Sequence, residues 1–233
     1  MLGWMFDPLY LLMLLPGMIL AGIASFITRS TFSKYSRTPA ASGMTGAQAA
    51  HHMLRSQGVH GVDVEPVQGF LSDHYDPRSR KLRLSPDVYR SRSLSAIGVA
   101  CHEAGHALQH AGGYAPLALR SALVPAAQFG SNGAYIIFFL GFFMQMQPIM
   151  KLAVFIFAAA VAFTIITLPV EWNATARAKR LMVSSGIVSP SEQRSAGAVL
   201  NAAFLTYVAS AFTAIMTLLY YAMRAGMLGG GDD

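Results

Sequence analysis

Charged residues are scarce in this sequence. Asp, Glu, Lys and Arg make up 12% of its 233 residues and hydrophobic residues 54%, whereas charged residues are about a quarter of a typical globular protein. This composition excludes an ordinary soluble domain and indicates a membrane protein. The net charge of +6 is not gathered into one basic stripe, which argues against nucleic acid as a partner. The single cysteine, Cys101, excludes a disulfide within the sequence.

The sequence contains long apolar runs. Four of them reach the roughly 20 residues that a helix needs to cross a bilayer, namely residues 9–27, 124–146, 152–170 and 202–223. Basic residues follow the first run and none precedes it, the reverse of a secretory signal, so we interpret it as an uncleaved anchor. The alternative is that this run lies in the membrane interface without crossing.

Lysine and arginine are concentrated on one side of these runs. One charged segment begins at Arg29 and extends to Arg120, and four further cations lie between the third and fourth runs. The connection between the second and third runs has only Lys151. Because cytoplasmic loops retain lysine and arginine, the asymmetry predicts that both polar segments are cytoplasmic and both termini extracytoplasmic.

The polar segment between the first two runs has the pattern of a small mixed domain. Thr45 is placed to cap a helix that ends at Gly58. Residues 62–67 and 81–84 alternate like short strands, with turn residues between them, which predicts a hairpin or a small sheet. Residues 94–111 are then predicted to form one continuous helix, closed by two glycines.

That predicted helix contains the motif His102-Glu103-Ala104-Gly105-His106. Residues four apart share one face of a helix, so both imidazoles could bind one zinc ion, with Glu103 beside them as general base. Gly105 would let another backbone come close to this helix. A chance match to so short a motif is the alternative, although two histidines in an apolar run are costly to bury without a ligand.

A catalytic zinc ion takes three protein ligands and leaves one position open, so a third ligand must come from elsewhere. His110 lies about 12 Å along the helix axis from His102, too far for the same ion. We interpret it as a cation at the helix C-terminus or a group that supports the ligands. Gly112 occupies the position where the metzincin motif would have its third histidine.

Two acids, Glu171 and Glu192, follow on the predicted cytoplasmic side. Glu192 completes the sequence Ser-Pro-Ser-Glu, which is typical of a capping box and gives it a structural role. Glu171 stands at the end of the third apolar run, where an unpaired carboxylate is costly. It is either the third zinc ligand, returned to the motif helix by a transmembrane hairpin, or an interfacial anchor paired with Arg177 or Lys179.

Several distinctive motifs are spread along nearly the whole chain: Phe6-Asp7-Pro8, Ser30-Thr31-Phe32-Ser33-Lys34-Tyr35, Gly43-Met44-Thr45-Gly46, Asp73-His74-Tyr75-Asp76-Pro77, Leu82-Arg83-Leu84-Ser85, Val88-Tyr89, residues 102–110 and Leu168-Pro169-Val170-Glu171. With them the chain resembles the YugP family of bacterial membrane zinc metallopeptidases. Its layout is also similar to that of HtpX-type gluzincins, in which a glutamate follows an HExxH helix and a transmembrane pair.

The resemblance implies one zinc ion per chain, held by His102, His106 and Glu171, with Glu103 as the catalytic base. The implied activity is that of a zinc metalloendopeptidase, a hydrolase of protein or peptide substrates. The same ligands also suit other divalent ions. Residues 81–84 are a candidate for the edge strand that pairs with an extended peptide.

Other residues are candidates for supporting roles. HtpX-type enzymes have an aspartate four residues after the ligand glutamate, and Thr175 occupies that place here. We therefore expect Asn173 or Thr175 to orient the ligands. By residue type, His74, Tyr75 and Arg177 are candidates for stabilising the oxyanion of a tetrahedral intermediate.

The predicted fold class is a mostly α-helical integral membrane protein, with four transmembrane helices and a small cytoplasmic α+β zincin-like domain. The implied location is the bacterial plasma membrane, with a cytoplasmic active site, and nothing in the sequence indicates an oligomeric state. The expected parts are an anchor at 1–28, the zincin-like domain at 29–122, a transmembrane hairpin at 123–170, a cytoplasmic segment at 171–200, a transmembrane helix at 201–224 and a disordered tail at 225–233.

Two other functions compete with this one. An intramembrane protease of the site-2 type would need a Leu-Asp-Gly motif, which the sequence lacks, and Arg90 and Arg92 stand just before the motif helix. The other competitor is a catalytically silent scaffold or regulator stapled by zinc. Glu103 argues against it, because a purely structural zinc site needs no base.

Overall fold

The computed structural model describes residues 8–69 and 72–228. In these residues the order of elements is α1 (Pro8–Tyr35), α2 (Gly46–Ser56), β1 (Asp63–Pro66), β2 (His74–Asp76), β3 (Lys81–Leu84), α3 (Pro86–Tyr89), α4 (Leu94–Ala111), α5 (Ala115–Phe143), α6 (Gln147–Ser184) and α7 (Gln193–Arg224). The predicted helical fold with a small sheet is thus confirmed. The end of the predicted disordered tail, residues 229–233, lies outside the described residues.

Helices α1, α5, α6 and α7 are long and apolar enough to cross a membrane. Three of the predicted apolar runs lie inside their helices, and the second ends three residues beyond α5, in the turn before α6. Helix α6 continues well past the apolar run to Ser184, because no glycine or proline interrupts residues 170–184. Glu171 therefore lies within a helix, which fixes the direction of its side chain.

One compact unit consists of residues 1–23, 119–168 and 206–233, as far as they are described. Its buried cluster is largely aromatic, and the rings of Phe138 and Tyr221 stack with centroids 3.8 Å apart. Large apolar side chains such as Leu12, Ile136 and Phe155 are exposed in this unit. Lipid is the solvent that such exposed side chains suit, as expected of membrane-spanning helices.

The second unit consists of residues 24–118 and 169–205, and α4 is its central helix. A Cβ atom added to Gly105 would lie 2.9 Å from the carbonyl oxygen of Ala174 in α6. One added to Gly98 would lie 3.1 Å from the carbonyl oxygen of Ala196 in α7. The two glycines let α6 and α7 approach α4 closely, which confirms the prediction made for Gly105.

The small sheet has the strand order β1-β3-β2. Strand β3 pairs with β1 in parallel, with Val64 opposite Leu82, and with β2 in antiparallel. The sheet was predicted, but a hairpin between residues 62–67 and 81–84 is wrong, because the turn before β3 connects it to β2. The use of residues 81–84 as the substrate-binding edge is wrong as well, since β3 is hydrogen-bonded on both sides.

The predicted helix boundaries rest on local hydrogen bonds. Thr45 caps α2 in a capping box, in which its hydroxyl accepts from the Gln48 amide and the Gln48 side chain accepts from the Thr45 amide. Before α7, the Ser189 amide donates to Glu192 Oε2 (2.8 Å) and the Glu192 amide to Ser189 Oγ (3.3 Å). Glu192 therefore has the structural role that its sequence context predicted.

Candidate metal centre

Helices α4 and α6 bring three potential metal ligands together. His102 and His106 lie one turn apart on α4, and Glu171 faces them from α6. Glu171 Oε2 is 3.0 Å from His102 Nε2 and 3.5 Å from His106 Nε2, and the ligand atoms of the three residues all lie within 4.8 Å of one another. The close approach at Gly105, one residue before His106, makes this convergence possible.

The geometry of this group fits a zinc ion. In a tetrahedral site with bonds of about 2.0 to 2.1 Å, two ligand atoms are about 3.3 Å apart. The two histidine-to-carboxylate distances, 3.0 and 3.5 Å, lie on either side of that value. Glu171 is 1% exposed and His106 7%, and a carboxylate so deeply buried is stable only beside a positive charge. The site thus provides donors and charge that suit zinc, in a group that could hold a metal ion.

Gln109 sets the orientation of His106. His106 Nδ1 lies 2.9 Å from Gln109 Oε1, and Gln109 is fully buried one turn further along α4. Because an amide oxygen can only accept, Nδ1 carries the proton and Nε2 keeps a free lone pair. That lone pair is directed toward Glu171, at the atom that would bind a metal ion.

The Gln109 amide is itself held by α6. Its Nε2 atom donates to the Val170 carbonyl oxygen (2.8 Å) and to Asn173 Oδ1 (3.0 Å). Asn173 Oδ1 also accepts from Arg177 Nε (2.7 Å). Since both donors point at oxygen atoms, the amide can be oriented in only one way. This chain of hydrogen bonds connects the histidine on α4 to the helix that carries Glu171.

His102 has a different supporting partner. Its Nδ1 atom lies 3.3 Å from Thr175 Oγ1, and Thr175 is buried four residues after Glu171 on α6. The hydroxyl can accept the imidazole proton, which leaves His102 Nε2 free for a metal. Thr175 thus contacts the ligand His102 directly, and Asn173 is connected to the ligand His106 through Gln109. Both sequence-based candidates therefore lie at the site.

The electrostatics of the site favour a cation between the three ligands. Burial alone would lower the pKa of His106, but its hydrogen-bonding contact with Glu171 and the nearby charge of Glu103 outweigh burial, so the pKa is raised. A positive charge at this point is stabilised by two carboxylates. Glu103 itself is half-buried on α4, directly after His102, which is where a base acting beside the ligands must be.

The other residues singled out from the sequence lie apart from the three ligands or have partners of their own. His74 Nδ1 is 2.7 Å from the Ser72 carbonyl oxygen, and the Tyr75 hydroxyl is 2.8 Å from His110 Nδ1. Arg177 donates to Asn173. An oxyanion role for His74, Tyr75 or Arg177 stays a prediction. His110 lies in the last turn of α4, as expected.

Gln109 is the residue that the sequence analysis missed. The sequence analysis assigned it no role, although one signal was available. Gln109 follows His106 by three residues and therefore lies on the same buried helix face, where an uncharged polar residue needs a hydrogen-bonding partner. The partner could not be found from the sequence, because it lies more than 60 residues away on α6.

Comparison with known proteins gives the family. The family model described as "Putative neutral zinc metallopeptidase" matches residues 10–226. The chain belongs to this zinc metallopeptidase family. It is also 46% identical over 210 residues to "Putative membrane protease YugP" of Bacillus subtilis (strain 168), covering 90% of this chain and 92% of that protein. No solved structure matches. The resemblance of the sequence motifs to the YugP family is confirmed.

Proposed function

We propose that this family member is a membrane-embedded zinc metalloendopeptidase that hydrolyses peptide bonds at the cytoplasmic face of the membrane. The single observation that carries the proposal is the convergence of His102, His106 and Glu171 from two helices, within 4.8 Å of one another. The relative named as a membrane protease and the four apolar helices support the membrane setting. In this proposal Glu171 is the third metal ligand and Glu103 the catalytic base.

In the proposed reaction one residue of the chain transfers the proton and two others hold the metal ligands. A zinc ion at the site would supply Lewis acidity, polarising the scissile carbonyl and making water more acidic. The Glu103 carboxylate takes a proton from the attacking water as the new carbon–oxygen bond forms. It then delivers that proton to the leaving amine as the carbon–nitrogen bond breaks. Gln109 and Thr175 hold the imidazoles, so that no reorganisation is needed during the reaction.

An extended peptide substrate could pair with an unpaired strand edge near the site. Among the described residues strand β2, like β1, pairs only with β3 and so has such an edge. It is also tied to the motif helix, since the Tyr75 hydroxyl on β2 bonds to His110 on α4. We therefore assign the substrate-binding edge to β2 in place of β3. Backbone pairing along this edge would supply affinity with little sequence preference.

A direct test compares purified wild-type protein with Glu103→Gln in metal analysis and a caseinolytic assay. The expected result is one zinc ion per chain in both, with hydrolysis by the variant reduced at least about 10²-fold, since general base catalysis contributes 10² to 10⁴-fold. Loss of zinc from the variant would contradict the role given to Glu103. A wild-type protein that binds zinc but cleaves nothing would favour the zinc-stapled scaffold instead.

The proposed topology has a separate test. From the distribution of lysine and arginine, we expect a reporter fused after Asp233 to be extracytoplasmic and one inserted after Gly113 to be cytoplasmic. Paired alkaline phosphatase and fluorescent protein fusions report the two locations. A cytoplasmic signal from the fusion after Asp233 would overturn the orientation, and with it the cytoplasmic placement of the active site.

A further inference from the structure

A groove of about 590 Å³ runs along the second half of α6, on the side next to the start of α7. Trp172, Thr175, Lys179 and Val183, each three or four residues after the last, form one wall from successive helical turns. Gln193, the first residue of α7, also lines it, and its side chain donates to the Lys179 carbonyl oxygen (3.0 Å). Both helices are thus hydrogen-bonded together at the groove.

The groove carries positive charge with no acid to balance it. Lys179 and Arg180 both line it, and none of the described residues that line it is acidic. Neither cation is in an ion pair with any residue in the described part of the chain. Both cations are therefore available to an anion from outside the chain, and partial burial strengthens such a pairing at Lys179.

Lys179 is held in place before any ligand arrives. Its ammonium group donates to Asn201 Oδ1 on α7. Its stem lies along Gly197, where an added Cβ atom would be 3.3 Å from the lysine Cε. The Asn201 bond uses one of the three ammonium protons and leaves two for a ligand. Asn201 brings no charge, so it orients the cation and leaves its charge intact.

The opposite end of the groove is apolar. Trp172 is 58% exposed, and its ring lies 5.3 Å from that of Phe204, centroid to centroid. It comes directly after the apolar run of α6, where tryptophan is enriched at the boundary between lipid and water. Seven residues separate Trp172 from Lys179, a rise of about 10 Å along the helix. The headgroup layer is about 5 to 7 Å thick, so the backbone of Lys179 lies a few ångströms beyond it. The flexible lysine stem is long enough to bring the ammonium group back to the headgroups.

We propose that this groove binds an anionic phospholipid, with its phosphate at Lys179 and Arg180 and its glycerol and upper acyl carbons at Trp172. The arrangement of an apolar end and a cationic end, in this order along a helix leaving the membrane, matches the polarity of such a lipid. An acidic peptide fits less well, because both walls are helices whose backbone groups are already paired. The inference rests on the proposed placement of α6 in the membrane and is independent of catalysis.

The chain offers a built-in probe for this proposal. It contains two tryptophans, so Trp4→Phe leaves Trp172 as the sole tryptophan. The full-length Trp4→Phe protein is reconstituted in phosphatidylcholine vesicles with a small fraction of brominated lipid, which quenches tryptophan at contact. We expect brominated phosphatidylglycerol to quench Trp172 more strongly than brominated phosphatidylcholine. Lys179→Gln and Arg180→Gln should each lower the relative affinity about fivefold, since one cation near the surface contributes about 1 kcal/mol.

A matched control removes two exposed cations elsewhere, Arg55→Gln with Arg90→Gln, and should leave the lipid preference unchanged. If Lys179→Gln fails to fold, Arg180→Gln alone carries the test, because Arg180 is exposed. Equal quenching by the two lipids would overturn the proposal. So would relief of quenching by inorganic phosphate or by an acidic peptide at constant ionic strength. The readout needs no hydrolysis, so its failure is distinct from failure of the proposed peptidase activity.

Discussion

Two kinds of side-chain hydrogen bond distinguish examples from the two units of the chain. In the first unit, Thr167 and Thr213 donate to carbonyl oxygens four residues back in their own helices, each at 2.8 Å. In the second unit, Ser95 donates to the Phe32 carbonyl oxygen on another helix (2.7 Å), and Gln109 bonds across from α4 to α6. A bond of the first kind lies within one helix, and a bond of the second kind ties one element to another.

This difference corresponds to the solvents that the two units are suited to. A helix in lipid must satisfy its polar groups within the protein, because the bilayer core contains no water and lipid tails offer no hydrogen-bonding partners. Packing between such helices is adjustable, and exposed side chains such as Leu12 (70%) and Phe155 (67%) need no protein partner. In the second unit the cross-element hydrogen bonds specify one arrangement, and a metal site needs that precision. Substitutions in the two units should therefore differ in effect.

The largest effect is expected at Glu171, where α6 meets α4. Glu171→Ala removes a carboxylate that faces both imidazoles, at 3.0 and 3.5 Å. Two histidines alone hold zinc weakly, so the zinc content of the purified protein should fall from one per chain to near zero. Inductively coupled plasma mass spectrometry after dialysis measures it.

Glu192→Ala is the matched control, since Glu192 is also an acid of the second unit but bonds to Ser189 and to the Ala41 amide. It should lower the melting temperature slightly, through loss of a cap worth about 0.5 to 2 kcal/mol, and keep zinc at one per chain. Unchanged zinc in Glu171→Ala would exclude Glu171 as a ligand, and equal loss in both variants would indicate unfolding.

Features encoded by neighbouring residues were predictable from the sequence. The capping box at Thr45, the span of α4 and the four long helices each depend on residues within a few positions of one another. The motif histidines belong to the same class, because the helical period alone places them on one face. The position of Glu171 left two possibilities, since helical geometry does not say what faces α4, and only the family resemblance implied that Glu171 is a ligand.

Features that depend on contacts distant in sequence were not predictable in the same way. Strand β2 has three residues and begins with the exposed His74, so no alternating pattern distinguishes it from the turn beside it. Because β2 pairs with β3, β3 is the central strand, and among the described residues the free edges lie on β1 and β2. The partners of Gln109 are likewise set by how α6 packs on α4, and only the structure supplies that information.

A smaller effect is expected at Gln109, which tests the cross-element hydrogen bonds directly. Gln109→Met keeps the volume but removes the acceptor for His106 Nδ1 and both donors to α6. The affinity for zinc should fall about 10 to 100-fold, the usual cost of losing such a partner. Competition with a fluorescent chelator measures the dissociation constant, and melting of the zinc-free protein shows whether the fold itself is changed.

His110→Leu serves as the control, because His110 is the next residue on α4 and bonds to Tyr75. It should leave the zinc affinity within about twofold, since it removes no group that contacts a ligand. An equal loss of zinc affinity in His110→Leu and Gln109→Met would mean that the loss of any polar side chain from α4 weakens zinc binding. Gln109 would then not be a specific positioning residue for His106.

The smallest effect on zinc binding is expected from adding one methyl group to a glycine in each unit. At Gly105 the new Cβ atom would lie 2.9 Å from the Ala174 carbonyl oxygen, so Gly105→Ala must push α6 away and should cost about 1 to 3 kcal/mol. At Gly22 in α1 nothing lies within 4 Å, so Gly22→Ala should be neutral or stabilise by up to about 1 kcal/mol. Thermal melting in detergent, with and without zinc, compares the two. Because α6 carries Glu171, the deficit of Gly105→Ala should be greater with zinc present, whereas equal deficits in both conditions would show that the contact at Gly105 supports the fold but not the metal centre.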